Sequence, residues 1–123
     1  MKNLYIAGSL FNEAEVNQRI KEGNMIESLT NYQVYNPIQA PCNIKDNLPS
    51  SKEIFWGDTK EILKSDTVVA DISNQSDPGT AAELGIVWAC NYIPWGCNQY
   101  LVGMVEDMGI IKNNFQEVLN ELV

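Results

Sequence analysis

Short apolar runs alternate with longer segments of mixed polarity along this chain. In "NLYIAGSLF" the run Leu4-Tyr5-Ile6-Ala7 is unbroken by polar residues and ends at Gly8. That pattern predicts a strand buried on both faces, as in a parallel sheet, turning at the glycine. "NEAEVNQRIKEGNMIESL" predicts a helix: Val16, Ile20, Ile26 and Leu29 have helical spacing, although Gly23 weakens the middle. "YQVYNP" predicts a short strand closed by Pro37, and "IQAPCNIKDNLPSS", with Pro41 and Pro49, an irregular loop. "SKEIFWGDTKEILKSD" predicts a helix, in one piece or broken near Gly57. "TVVADI" is the clearest strand, a β-branched run ending in an acid. After the loop "SNQSDPG", the segment "TAAELGIVWAC" predicts a helix that offers Ala81, Leu84, Val87 and Trp88 for packing. "YIPW" and "QYLVGMV" are candidate strands, and "NNFQEVLNEL" is a closing amphipathic helix.

The order β-α-β-α-β-α-β-β-α implies an α/β fold. The expected architecture is a single-domain, three-layer sandwich with a mostly parallel five-stranded sheet, flavodoxin-like or Rossmann-like. Ligands in such folds lie beyond the carboxyl ends of the strands. The expected pocket lining is therefore Tyr5 to Phe11 (Gly8 included), the Gln39 loop, Ser73 to Glu83, and the segment near Asn98.

Composition narrows the chemistry. The 123 residues suit one domain with its own core. A formal net charge of -8 argues against nucleic acid as a partner, because phosphate neutralisation needs a basic surface. No histidine is present, which excludes a Ser-His-Asp triad, a Cys-His pair and histidine-ligated zinc. No metal or cofactor is expected; acid–base work falls to carboxylates, Tyr, Lys or Cys. Cys42, Cys90 and Cys97 are odd in number and form no CxxC, so a reducing, cytoplasmic setting is expected. No apolar stretch reaches membrane-spanning length, and "MKNLYIAGSLF" lacks a signal-peptide core.

The candidate residues each carry a plain structural reading beside a chemical one. Thr80-Ala81-Ala82-Glu83 matches a capping box, and the local pattern favours that role for Glu83. Asp77 with Pro78 at the first helical position is the alternative cap. The chemical reading places Glu83 in the first helical turn, ionised by the helix dipole and ready to act as a nucleophile. Asp71, after "VVA", serves either the loop backbone or a ligand. Asp58 in "WGDTK" is locally a helix cap. Tyr5 lies in a buried strand, where its hydroxyl needs a partner, and a carboxylate at a neighbouring strand end would supply one. Phe55, Trp56, Trp88 and Trp95 are expected mostly in the core, with one of them available to stack on a planar base.

Taken together, "LYIAGSLFN", "GDTKEILKSDTVVADI" and "DPGTAAELG" resemble the nucleoside 2-deoxyribosyltransferase family. The resemblance runs through most of the chain and is most specific at Asp77, Gly79 and Glu83. It implies that Glu83 attacks the anomeric carbon of a 2′-deoxynucleoside, giving a covalent deoxyribosyl-enzyme that a second base resolves with net retention. It implies that Tyr5 orients Glu83, that Asp58 or Asp77 protonates the leaving nitrogen, and that Gln39 helps bind the base. Gly8, Phe11 and Asp71 belong to the same substrate-binding surface. Asn98 matches an asparagine that reaches the sugar 5′-hydroxyl of a neighbouring subunit, although the usual Asn-Leu-Met run here reads Asn98-Gln99-Tyr100. The implied partners are a deoxynucleoside, a free nucleobase and further copies of the chain in a homo-oligomer. A related N-glycoside hydrolase is the alternative.

Overall fold

A computed structural model of the chain describes residues 1–40, 49–73, 77–90 and 99–123. Three strands, β1 (Lys2–Ala7), β2 (Tyr32–Tyr35) and β3 (Thr67–Ala70), form one parallel sheet in the order β2-β1-β3. The helices are α1 (Glu13–Leu29), α2 (Ser51–Lys64), α3 (Pro78–Cys90), α4 (Gln99–Met108) and α5 (Phe115–Leu122), with one 3-10 turn at Pro37–Gln39.

The central strand is buried on both faces, as its apolar run predicts. Leu4 and Ile6 join Ile26 of α1 and Leu119 of α5 on one side. Tyr5 and Ala7 join Ile62 of α2 on the other, with Ile86 and Val87 of α3 packed against them. Helices therefore cover both faces of a parallel sheet, the arrangement that crossover connections between parallel strands produce. The chain leaves β1 towards β2 on one side and returns to β3 on the other. That reversal opens a crevice at the carboxyl ends of β1 and β3, where a doubly wound sheet binds its ligands.

Local signals explain most of the boundaries. Asn12 caps α1 by accepting from the Glu15 backbone N–H at 2.9 Å, and Glu15 accepts from the Phe11 N–H at 3.1 Å in return. Ser50 caps α2 and Asn114 caps α5 in the same way. Gly23 does not interrupt α1. It is buried there, and a Cβ at that position would lie 3.0 Å from Asn36 Nδ2 and 3.5 Å from Ile6 Cδ1. The missing side chain lets the helix approach the sheet.

Several expectations are corrected. Of the four apolar positions with helical spacing on α1, Ile26 is buried, Val16 and Ile20 are half-buried and Leu29 is exposed; Arg19, Glu22 and Gly23 are buried beside Ile26. Helix α2 runs unbroken through Gly57; one helical glycine costs only about 1 kcal/mol. Phe55 and Trp56 are half exposed on its outer side rather than in the core, in tilted contact with each other. "QYLVGMV" is not a strand but most of α4, where Met104 is buried and Gly103, Glu106 and Asp107 are exposed. A short apolar run with polar ends fits either period, and here the helical one wins. The described sheet has three strands, not five; "YIPW" lies outside the described residues.

Candidate active site

Parallel register puts Tyr5 of β1 beside Tyr35 of β2. Their rings stack with centroids 5.5 Å apart and planes 16° from parallel. Each hydroxyl donates to a carboxylate brought in by a helix on that face. Tyr5 Oη donates to Glu83 Oε2 of α3. Tyr35 Oη donates to Asp58 Oδ1 of α2 at 3.0 Å. Two tyrosine–carboxylate couples thus stand side by side under the crevice. Tyr5 is fully buried, and burial together with the Glu83 charge holds its hydroxyl well above the ordinary tyrosine range. It therefore stays a donor at any working pH.

Burial pushes the Glu83 carboxyl up to about 7. The Tyr5 hydrogen bond works in the opposite direction, and the charges of Asp58 and Asp77 add to the rise. Asp58 is also raised, chiefly by burial, against the stabilising bond from Tyr35. Glu83 is thus poised to exchange a proton near neutrality. It is not held firmly ionised by a helix end, as its sequence position suggested. Helix α3 begins at Pro78, which puts Glu83 past the first turn, where the dipole has faded.

The cap of α3 is Asp77, the alternative the sequence offered, and not a Thr80–Glu83 box. Asp77 Oδ1 accepts from the backbone N–H groups of Gly79 at 3.0 Å and Thr80 at 3.3 Å, and its other oxygen accepts from the Thr80 hydroxyl. Asp77→Ala is expected to lower unfolding free energy by about 1 kcal/mol, measured by urea denaturation; an unchanged midpoint would count against the cap. Asp58 caps nothing: it lies inside α2, whose cap is Ser50.

A small cleft of about 80 Å³ opens between these groups, and Gly8, Arg19, Asn36, Asp58 and Glu83 are among its lining residues. Arg19 enters it from α1. Its Nε and Nη2 bind Glu22 at 2.6 and 3.1 Å, and Nη2 also binds Asp71 at 2.6 Å. Burial opposes ionisation of Asp71, but hydrogen bonds from Ser73 and the Arg19 guanidinium hold its carboxyl below the usual range. Asp71 therefore anchors the β3 end to α1 and Ser73. Gly8 admits this arrangement, since a Cβ there would lie 2.1 Å from Arg19 Nη1.

Of the residues the sequence brought forward, Gly8, Asp58 and Glu83 line this cleft, with Tyr5 bound to Glu83 beneath it, Asp71 linked through Arg19 and Asp77 acting on Glu83 by its charge. Phe11 is 67% exposed, and neither it nor the exposed Gln39 is among the described lining residues. Asn98 lies outside the described residues. Sequence reasoning missed Tyr35, Arg19 and Asn36. Tyr35 was legible in principle, since "YIA" and "VYN" place tyrosines on adjacent strands. A larger hollow of about 730 Å³ runs along β3, lined chiefly by aliphatic side chains such as Val68, Val87 and Ile110; the tyrosine–carboxylate couples are not part of it. Among the described residues no cluster of His, Cys, Asp and Glu is arranged to hold a metal ion, and no helix is long and apolar enough to cross a membrane.

The chain is 30% identical to a protein of Ureaplasma parvum serovar 3 described as "Uncharacterized protein UU063", over 148 aligned positions that cover 98% of this chain and 93% of the other. A family model for nucleoside 2-deoxyribosyltransferase matches residues 4–121. The match takes in both tyrosine–carboxylate couples and the cleft between them, and the chain belongs to the nucleoside 2-deoxyribosyltransferase family.

Proposed function

We propose that the protein transfers 2-deoxyribose between nucleobases by double displacement, with Glu83 as the nucleophile. The observation that carries this reading is the hydrogen bond from buried Tyr5 to Glu83, set beside the Tyr35–Asp58 couple. A Glu83 oxygen forms a bond to C1′ as the bond from C1′ to the base nitrogen breaks, and that electron pair leaves with the base. The base nitrogen takes a proton from a neighbouring acid. Asp58 suits this step better than Asp77. Its carboxyl is raised by burial, whereas both Asp77 oxygens accept hydrogen bonds at the start of α3. A second base then attacks C1′, releases Glu83 and returns its proton to the acid. Two inversions give net retention. The oxocarbenium-like transition state gains from the surrounding carboxylates.

The substrates in this reading are a 2′-deoxynucleoside and a free base, which is the chemistry of salvage. A cytoplasmic homo-oligomer fits the same reading. The test is to incubate thymidine or 2′-deoxyadenosine with and without a second free base. Exchanged nucleosides that form only when the second base is present are expected. Free deoxyribose formed at the same rate with or without it would make the protein a hydrolase instead.

A further inference from the structure

Each of the two stacked tyrosines engages one oxygen of its carboxylate and leaves the other. Tyr5 donates to Glu83 Oε2, and Tyr35 donates to Asp58 Oδ1 at 3.0 Å. Among the described residues no hydrogen bond reaches Glu83 Oε1 or Asp58 Oδ2. Neither atom is among the buried polar atoms left without a partner, so each keeps access to solvent, and both residues line the same cleft. The Tyr35 ring is well held. It stacks on Tyr5 across the β1–β2 pairing, and it packs in one cluster with Ile62, a single turn along α2 from Asp58.

We propose that Tyr35 is the positioning residue for the acid that protonates the leaving base: by occupying Asp58 Oδ1 it makes Oδ2 the oxygen that carries and delivers the proton. This rests on the deoxyribosyl-transfer reading above. A neutral carboxyl has one oxygen that bears the proton and one that accepts. A hydroxyl donating to Oδ1 makes Oδ1 the acceptor, so the proton sits on Oδ2, the atom without a protein partner. As the bond from C1′ to the base nitrogen breaks, its electron pair goes to that nitrogen, which takes the Oδ2 proton. A Glu83 oxygen closes on C1′ in the same step. Glu83 thereby loses its negative charge and Asp58 gains one. The Tyr35 donor then faces an ionised acceptor, and such bonds are roughly twice as strong as neutral ones. The bond tightens as the base departs. Burial and the charge of Glu61 oppose the Asp58 anion, while Tyr35 favours it; Glu83 of α3 and the Tyr5 hydroxyl of β1 also feel its charge. Tyr35 thus keeps Asp58 acidic enough to give its proton up.

The experiment compares the parent with Tyr35→Phe, Asp58→Asn and the double variant. The substrates are 2′-deoxyuridine and 2′-deoxyadenosine, each beside its 5-fluoro or 2-fluoro derivative, whose base needs less protonation to leave. Base release is read in single turnovers across pH, with and without a second base. Tyr35→Phe is expected to slow release of the plain bases by about tenfold and of the fluorinated bases by less than about threefold. The part of the pH–rate profile that reports Asp58 should move to higher pH. The double variant should release base no more slowly than Asp58→Asn alone. Equal losses on plain and fluorinated bases, an added loss in the double variant, or an unmoved Asp58 limb overturns the proposal. Should Tyr35→Phe fail to fold, 3-fluorotyrosine placed at position 35 decides, since a stronger donor must move the Asp58 limb to lower pH and an unmoved limb overturns the proposal. Graded losses with release to water alone would sink the transferase reading and leave this one standing; base exchange with equal losses would do the reverse.

Discussion

Glu83→Gln is expected to abolish base exchange while making the protein more stable above neutral pH. The loss of activity follows if Glu83 forms the covalent bond to C1′, since an amide is not a nucleophile of that kind. The stability gain follows from the raised carboxyl. Glu83 moves from an ordinary value of 4.5 to about 7 on folding. A carboxyl raised by folding contributes stability that is full below its unfolded value and is lost as pH rises through the folded one. The ionised form therefore costs the native state on the order of 3 kcal/mol above pH 7. Glutamine keeps the shape and a partner for Tyr5 without that cost. Urea unfolding of parent and variant should agree within about 1 kcal/mol at pH 5 and diverge in favour of the variant by about 1–3 kcal/mol at pH 8.5. A capping role predicts the opposite, a loss of about 0.5–2 kcal/mol at every pH. Retained exchange activity in Glu83→Gln would end the proposed mechanism, whatever its stability.

The second large effect is in the pH–rate profile. With Glu83 ionised and Asp58 protonated as the active form, kcat/KM should follow a bell-shaped profile in which one limb, near 7, belongs to Glu83 and the other to Asp58. The Tyr5 hydrogen bond is the influence that pulls the Glu83 limb down, against burial and the charges of Asp58 and Asp77. Tyr5→Phe should therefore move that limb upward, with the largest deficit in slightly acidic buffer and partial recovery at high pH. An uncoupled tyrosine would lower the rate by one factor at all pH values, and a downward shift would contradict the arrangement outright.

The reasons some features were legible and others not are physical. Leu4, Tyr5, Ile6 and Ala7 announce a two-sided strand because a run without polar residues has no solvent face to offer. Tyr5, Asp58 and Glu83 stood out because a hydroxyl in an apolar strand and acids close to glycines are each conspicuous in one dimension. Arg19 was invisible for the converse reason. On α1 it sits among Asn17, Gln18 and Glu22 and looks like part of a solvated face, yet the ion pairs with Glu22 and Asp71 let it face inward. The Thr80–Glu83 box misled because two cap patterns overlap in "DPGTAAE". Proline at the first helical position decides for Asp77, since the missing N–H is one the helix end leaves unused. Helix α4 misled because "YLVGMV" is too short for its period to speak.

The pairing of β1 with β2 has a consequence for how the chemistry is dimensioned. Adjacent strands lie about 4.8 Å apart wherever a sheet forms, and the rings of Tyr5 and Tyr35 keep nearly that interval, at 5.5 Å. Each hydroxyl donates to its own carboxylate, so the sheet sets the interval between the two donors that hold Glu83 and Asp58. That interval is a property of strand pairing and not of loop conformation.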